Sequence, residues 1–337
     1  MTKNLGFKHS KMVTLLCVAA FLLVAMAGVS GAATVYKPII GTAGQGGTWY
    51  ILGSGIANVV SKYNDNIQMS SSSTRGTIEN MRLVAAKRID IGMTQPPADY
   101  YAFKGLDLYE GKPNPNLRYV CGGHYSVQFM VVPADSDIKT IADLKGKRVA
   151  IGVPGSGTKH ICGRGTLWAG GIDLTDIQEV SLNQSQGADA LIEGSVDACH
   201  FSGGVPNPGL MNLAMVKKVR VLPITPEDVA KIQKTHPQVG TAIKSIIVPA
   251  NTYQGQTEPL PTMGFITAFT TYEGMSDEVV YKFVKTLYER REDLAKIHKS
   301  GNEYTLEALS SGCVIPPHPA AARFFKEMGV ELQAAGY

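Results

Sequence analysis

The chain has 337 residues, and 32 Lys and Arg stand against 28 Asp and Glu, for a formal net charge of +4. A nucleic-acid-binding protein needs a clustered basic face, and the sequence has none, so that class is excluded. A chain of this length can bury large cores and commonly forms more than one domain.

The first 33 residues have the layout of a secretory signal peptide. Three lysines among the first eleven residues precede an apolar run, 12–29, and small residues follow at 30–33. This order predicts export and cleavage near Ala33, and therefore a periplasmic mature protein. An uncleaved anchor is the alternative, but the run is close to the lower length limit for crossing a bilayer. Because residues 1–33 hold three lysines and no acid, the mature chain keeps 29 basic and 28 acidic residues.

Beyond the signal peptide, short strand-like runs alternate with helical patterns in two successive groups. The predicted strands are 35–41, 67–72 and 89–93 in the first group and 147–153, 177–182 and 196–201 in the second. This alternation predicts an α/β fold with mostly parallel strands covered by helices. Thr77 and Ser276 are predicted to cap helices at their N-termini.

Two longer apolar runs, 125–132 and 263–269, are predicted to be strands that connect two lobes. We therefore expect lobe I to comprise 34–127 plus 268–337 and lobe II to comprise 128–267.

Four cysteines remain in the mature chain, namely Cys121, Cys162, Cys199 and Cys313. An oxidising compartment permits disulfides, but free cysteines also pack like small apolar residues, and we favour buried thiols. If one bridge forms, Cys162–Cys199 is the expected pair because both residues fall in lobe II.

Three loops of lobe I, each at the end of a predicted strand, carry candidate ligand-binding residues. In the glycine-rich turn at 41–50, open backbone N–H groups at a helix start favour an anion, although a plain turn capped by Thr48 is the alternative. In the second loop Arg75 is suited to bind a carboxylate, although a solvated loop arginine is the alternative. The candidates are Gly41, Thr42, Gly47, Thr48, Trp49, Tyr50, Thr74, Arg75, Gly76, Thr77 and Gln95.

Lobe II repeats the arrangement in two loops that follow predicted strands. The candidates there are Gly155, Ser156, Gly157, Thr158, Gly203, Gly204, Val205 and Pro206. Together the five loops supply many N–H and hydroxyl groups and few charges, which predicts a cage for a compact anionic or zwitterionic solute.

Signatures of enzymes and cofactor sites fail on inspection. The segment 152–157 resembles a phosphate-binding loop, but Thr158 stands where that motif needs lysine. No nucleophile elbow of the form Gly-x-Ser-x-Gly is present. His160, Cys162, Cys199 and His200 are the one conceivable metal-binding set, but their spacing matches no established pattern, and buried packing is the alternative. We therefore expect neither catalysis nor a metal or organic cofactor.

Nine short motifs, taken in order, resemble the TAXI family, the extracytoplasmic receptors of TRAP transporters. They are IGTAGQGGTWY (40–50), STRGTIENMRL (73–83), IDIGMTQ (89–95), LKGKRV (144–149), GVPGSGT (152–158), GSVDA (194–198), GGVPN (203–207), YQGQT (253–257) and PHP (317–319). The resemblance spans nearly the whole mature chain.

This resemblance implies a type II periplasmic-binding-protein fold with a hinged cleft, and monomeric action with TRAP membrane subunits as partners. It also implies a small carboxylate, such as glutamate or glutamine, as the solute. The chain departs from the family pattern at Trp49, Arg75 and the Pro96–Pro97 pair, so we predict a carboxylate-bearing solute without naming it. The alternative functions are an exported sensor subunit that signals through a membrane receptor and an enzyme built on the same fold.

Overall fold

Ten strands in the part of the chain described by the computed structural model, residues 34–45, 47–240 and 242–334, belong to one sheet. The predicted signal peptide, 1–33, lies outside the described residues. The strands are β1 Ile39–Gly41, β2 Ser70–Ser72, β3 Ile91–Thr94, β4 Leu117–Pro133, β5 Arg148–Ala150, β6 Gln178–Val180, β7 Ala198–Gly203, β8 Val219–Leu222, β9 Ile243–Val248 and β10 Leu260–Tyr272.

The helices lie between these strands and after the last of them. They are α1 Thr48–Lys62, α2 Thr77–Ala85, α3 Pro96–Lys104, α4 Arg164–Ala169, α5 Gln184–Glu193, α6 Pro208–Val216, α7 Pro226–Thr235, α8 Pro237–Gly240, α9 Asp277–Glu289, α10 Arg291–Ile297, α11 Leu306–Ser310 and α12 Pro319–Glu327. A π-helical segment, Thr158–Gly163, leads into α4, and a 3-10 segment, Lys299–Glu303, follows α10. No helix among the described residues has both the length and the apolar character needed to span a bilayer.

The strand order is β2-β1-β3-β10-β4-β7-β5-β6, with β8 paired to β4 and β9 paired to β10. The outer strands pair in parallel, β1 with β2 and β3, and β5 with β6 and β7. Both long central strands pair antiparallel to their neighbours. The predicted α/β class is therefore confirmed, with two α/β lobes and two crossover strands, β4 and β10. The residue boundaries expected for the lobes remain a prediction.

Separate apolar clusters lie under the helices of the two ends of the sheet. One includes Leu52 of α1, Phe283 of α9 and Phe325 of α12, and another includes Ile151 and, in α4, Leu167. Apolar residues recur every three or four positions along α9, which turns one face of this helix toward the core.

Two local predictions differ from the structure. Thr77 is not the cap of α2, because Gly76 occupies that position with a φ of 93° that favours glycine, and Thr77 is the first helical residue. The Ser276 cap of α9 is confirmed, since its hydroxyl accepts from the Val279 N–H at 3.4 Å. Five of the six predicted outer strands are shorter than their apolar runs, β7 is shifted along the chain by two residues, and the two central strands are longer than their runs.

Among the described residues, Cys121, Cys162, Cys199 and Cys313 are buried and unbridged. The buried-thiol prediction is confirmed, and the pair Cys162–Cys199 forms no disulfide. Burial raises the pKa of Cys162 to about 11 and that of Cys199 to about 12, so both are neutral thiols near pH 7.

Candidate functional site

The ends of β1 and β3 are held together by the buried side chain of Asn80 in α2. Its Nδ2 donates to the carbonyl oxygens of Thr42 and Met93, each at 2.8 Å, and lies 3.2 Å from that of Gly41. A side chain at Gly41 would collide with Asn80 and Ile89, which explains the glycine. Thr42 is fully buried, and its hydroxyl donates to the Ser72 carbonyl at 3.0 Å. These bonds fix the strand ends from which the first two loops begin.

The first turn of α1 brings Thr48 and Trp49 against other parts of the chain. Gly47 precedes the helix and offers no side-chain cap, and Gly46 lies outside the described residues. The Thr48 hydroxyl accepts from the Gly204 N–H at 3.1 Å, and Trp49 Nε1 donates to Ser126 Oγ at 3.0 Å. Tyr50 is half-buried beside them.

The second loop divides into a buried part and an exposed part. Thr74 accepts from the Gly76 N–H at 3.0 Å, and the buried Thr77 hydroxyl donates to Gln95 Oε1 at 3.2 Å. Gln95 is also buried, and its Nε2 lies 2.6 Å from Cys162 Sγ.

Arg75 does not join this buried group. Its side chain is 69% exposed, and its guanidinium lies 3.5 Å from Glu79 in the first turn of α2. The Arg75 backbone N–H donates to the same carboxylate at 2.7 Å. Such an exposed pair contributes little to stability.

At Gly157 the fourth loop, the first one of lobe II, meets the second and third loops of lobe I. A Cβ at Gly157 would lie 2.5 Å from Thr77 Oγ1 and 2.7 Å from Gln95 Oε1, so only glycine fits against these two side chains. Ser156 is buried, and its hydroxyl donates to the Val153 carbonyl at 2.7 Å and accepts from the Lys159 N–H at 3.2 Å.

Ser156 therefore shapes the turn that presents Gly157. On either side, Gly155 has a φ of 75°, and Thr158 is half-buried at the start of the π-helical segment.

The fifth candidate loop, which is the second one of lobe II, meets α1 and the 3-10 segment in the same way. A Cβ at Gly203 would lie 2.9 Å from Thr48 Oγ1, and one at Gly204 would collide with Ser300 Oγ. Val205 is half-buried, and the Pro206 carbonyl lies 3.3 Å from His298 Nε2. Burial lowers the pKa of His298, which favours the neutral ring that can donate from this nitrogen.

A polar group inside the apolar strands β4 and β7 was missed by the sequence analysis. Ser126, Gln128 and Ser202 lie on these strands, and Gln128 and Ser202 are directly paired. Gln95 Nε2 donates to the Cys162 thiol, and the nearby Ser202, Gln95 and Gln128 side chains oppose the rise that burial causes in its pKa. Gln128 Oε1 is buried without a hydrogen-bond partner among the described residues. The available signal was the presence of Ser126 and Gln128 in an otherwise apolar run.

The interior of this region is polar without being strongly charged. Burial lowers the pKa of His200 to about 3, so its ring is neutral, and its Nε2 lies 3.4 Å from Thr166 Oγ1. Glu303 accepts from the Tyr125 N–H at 2.9 Å, and burial raises the pKa of this carboxyl.

The four residues weighed as metal ligands have other contacts. His160 Nε2 accepts weakly from the Gly155 N–H at 3.4 Å, and Cys162 contacts Gln95. Within residues 34–45, 47–240 and 242–334, no group of three His, Cys, Asp or Glu side chains is placed to hold a metal ion.

Residues 40–329 match the model of a family described as the NMT1-like family. The chain belongs to the NMT1-like family. Two solved structures that resemble this NMT1-like protein are the periplasmic aliphatic sulphonate binding protein of Escherichia coli and a protein of Bordetella bronchiseptica RB50. The first has 19% identity and a TM-score of 0.50 over 87% of this chain and 79% of that one. The second has 18% identity and a TM-score of 0.52 over 89% and 91%.

The likeness to the Escherichia coli protein identifies the fold of the NMT1-like protein as that of periplasmic binding proteins. In open α/β sheets, ligands bind beyond the carboxyl ends of parallel strands, which is where these loops lie. From the sequence-predicted set, the structure brings Thr48 against Gly204, and it brings Thr77 and Gln95 against Gly157. Arg75 is the predicted residue that it leaves at the surface.

Proposed function

We propose that this NMT1-like protein is an exported solute-binding receptor that captures a small polar, carboxylate-bearing solute and releases it to a membrane transporter. The observation that carries the proposal is the direct contact between loops of the two lobes. Gly157 lies against Thr77 and Gln95, and the Gly204 N–H donates to Thr48. A solute that contacts both sets of loops would favour a conformation in which they meet.

Recognition in this proposal uses neutral hydrogen-bonding groups. The N-terminus of α1 offers the positive end of a helix dipole, and hydroxyl and amide groups surround it. A carboxylate bound there would be held by oriented dipoles, since Arg75 is paired with Glu79 at the surface. A sulphonate is a second candidate class, because the Escherichia coli structure of similar fold is named as an aliphatic sulphonate binding protein.

Delivery to a TRAP-type permease, in the manner of the TAXI family, is the specific form of transport that we propose. Its support is the series of nine motifs from 40–50 to 317–319. Action as a monomer in the periplasm belongs to the same proposal, with no catalytic step on the solute.

A thermal-shift screen of refolded, ligand-stripped mature protein tests the receptor function. The screen covers amino acids, dicarboxylates, oxoacids, alkanesulphonates and sugars. A ligand at a hundredfold excess over its Kd stabilises the folded state by about 2.7 kcal/mol, which gives a clear shift in Tm. A hit among the carboxylates supports the proposal, a hit among the sulphonates corrects the ligand class, and no shift with any solute contradicts receptor function.

Uptake assays test the transporter. Proteoliposomes containing the TRAP permease of the same cell should accumulate the solute only when this protein is added together with an ion gradient. Uptake that instead needs ATP hydrolysis would contradict TRAP delivery while leaving the receptor function intact.

A further inference from the structure

Asn207 at the start of α6 holds a buried amide group with one end free. Its Oδ1 accepts from the Leu210 N–H at 3.0 Å, and its own backbone N–H donates to the Tyr253 hydroxyl at 2.8 Å. The cap fixes which end of the amide is oxygen, so Nδ2 points away from the helix. Asn207 is 1% exposed, and Nδ2 has no hydrogen-bond partner among the described residues. A buried donor of this kind is unfavourable unless something accepts from it.

Asn207 Nδ2 and the Thr48 hydroxyl group both lie close to the backbone of Gly203. A Cβ at Gly203 would lie 2.9 Å from Asn207 Nδ2 and 2.9 Å from Thr48 Oγ1. Thr48 already accepts from the Gly204 N–H, which leaves its hydroxyl proton available to donate. Two donors from the two lobes therefore flank Gly203, and one of them lies in the first turn of α1.

Neighbouring ionisable groups are engaged elsewhere. His298 Nδ1 accepts from the Ser300 N–H at 3.1 Å, and His298 Nε2 faces the Pro206 carbonyl. Glu303 accepts from the Tyr125 N–H. The donors at Gly203 are therefore neutral groups that can bind an oxyanion through preorganised dipoles.

We infer that Asn207 Nδ2 and Thr48 Oγ1 form an oxyanion subsite that binds one carboxylate or sulphonate group of the solute beside Gly203. The inference rests on the proposed receptor function and identifies Asn207 as a ligand-binding residue. It also accounts for a free donor that the fold itself does not use.

Asn207→Asp is the sharpest test, because it preserves the shape and the capping oxygen while replacing the donor with a carboxylate oxygen. Asn183→Asp is the matched control, since Asn183 caps α5 through the Gln186 N–H at 2.9 Å and lies at an exposed position. Binding is measured by calorimetry with L-glutamate, succinate and methanesulphonate, and with the uncharged succinamide and methanesulphonamide. Thr48→Val, which removes the second donor, is the independent variant, and circular dichroism verifies that each variant folds.

Wild-type protein should bind an acid of this panel and not its amide. Asn207→Asp should weaken that binding at least tenfold, Thr48→Val should weaken it as well, and Asn183→Asp should leave it unchanged. Wild-type affinity retained by folded Asn207→Asp and Thr48→Val, or tighter binding by Asn207→Asp, overturns the inference alone. Equal binding of acid and amide also overturns it. Wild-type protein that binds no member of the broader solute screen overturns the receptor function itself.

Discussion

At the scale of single residues, Asp99 is a buried carboxyl group held by two threonines. Its Oδ2 accepts from Thr94 at 3.0 Å and from Thr270 at 2.8 Å, and its side chain is fully buried. Burial raises the pKa of Asp99 to about 7, while the two hydroxyl groups oppose that rise. The folded state therefore holds a proton at a pH where the unfolded chain has lost it.

The first prediction concerns this proton. Because the folded pKa lies above the unfolded value, the stabilising contribution is complete below about pH 4 and is lost as pH rises through about 7. The rise in the pKa from 3.8 to about 7 corresponds to a loss of about 4 kcal/mol in the free energy of unfolding, at about 1.4 kcal/mol per pKa unit. Asp99→Asn, which cannot titrate, should remove this contribution. Urea unfolding of both proteins at a series of pH values measures it.

The quantity to compare is the difference in the free energy of unfolding between the wild type and Asp99→Asn at each pH. Burial lowers the pKa of His124 and of His200 to about 3, and both histidines destabilise the fold as pH falls below about 6.5, which is the opposite sign. That effect is common to wild type and Asp99→Asn and cancels in the difference. A difference that stays constant from pH 4 to 8 would contradict the raised pKa of Asp99.

Only part of the residue-scale picture was predictable. The sequence indicated Thr48, Gln95 and Gly157 because glycines and hydroxyl groups at strand ends are a local pattern. Asn207 was not among the predicted site residues, because the subsite proposed for it depends on Thr48, which lies far away in the sequence. Arg75 was included for its chemistry, but Glu79 one helical turn later pairs with it.

At the scale of elements, Asn80 ties the ends of two strands to the helix between them. The second prediction is that Asn80→Ala lowers the free energy of unfolding by about 2–3 kcal/mol, because buried carbonyl groups lose their donor. Urea denaturation measures the change. Asn302→Ala is the control, since that side chain is exposed and bonds only within its own turn, and its effect should stay within about 0.5 kcal/mol. Equal effects would contradict the role of Asn80.

The close approach of the fourth loop, at Gly157, to the second and third loops gives the third prediction. Gly157→Ala should weaken solute binding at least tenfold, because the new methyl group overlaps Thr77 Oγ1 and Gln95 Oε1 and such overpacking costs about 1–3 kcal/mol. Calorimetry with the solute found in the screen measures the change. Gly44→Ala is the control, since no atom lies within 4 Å of its added methyl group. Unchanged affinity in Gly157→Ala would show that binding does not need these loops to meet.

The order of strands and helices was predictable, and their lengths were not. Apolar periodicity marked each of the six outer strands, but pairing with neighbours decides where a strand ends. The first predicted strand, 35–41, pairs as a strand only over Ile39–Gly41. Conversely, β4 extends from Leu117 because β10 continues beside it to Tyr272. The lengths of β1 and β4 are therefore set by the strands with which they pair, and those strands lie far away in the sequence.

At the scale of the whole molecule, the four cysteines of the described residues form no disulfide bond. The fourth prediction is that the native mature protein reacts slowly with a thiol-specific reagent and that the denatured protein shows four thiols. Burial raises the pKa of every one of these cysteines, which suppresses the reactive thiolate. The Tm should be the same with and without a reducing agent. Fewer than four thiols after denaturation would reveal a bridge.

Trp49 is suited to serve as a fluorescence probe, because the sequence contains only one other tryptophan, Trp168. Trp49 donates to Ser126 beside the loops that meet, whereas the Trp168 ring stacks on His236 with ring centres 3.8 Å apart. In a Trp168→Phe variant, Trp49 would be the sole strong intrinsic emitter. The emission wavelength of Trp49 would then depend on the polarity around the first turn of α1. Binding and release of the proposed solute could therefore be followed by the intrinsic fluorescence of this side chain.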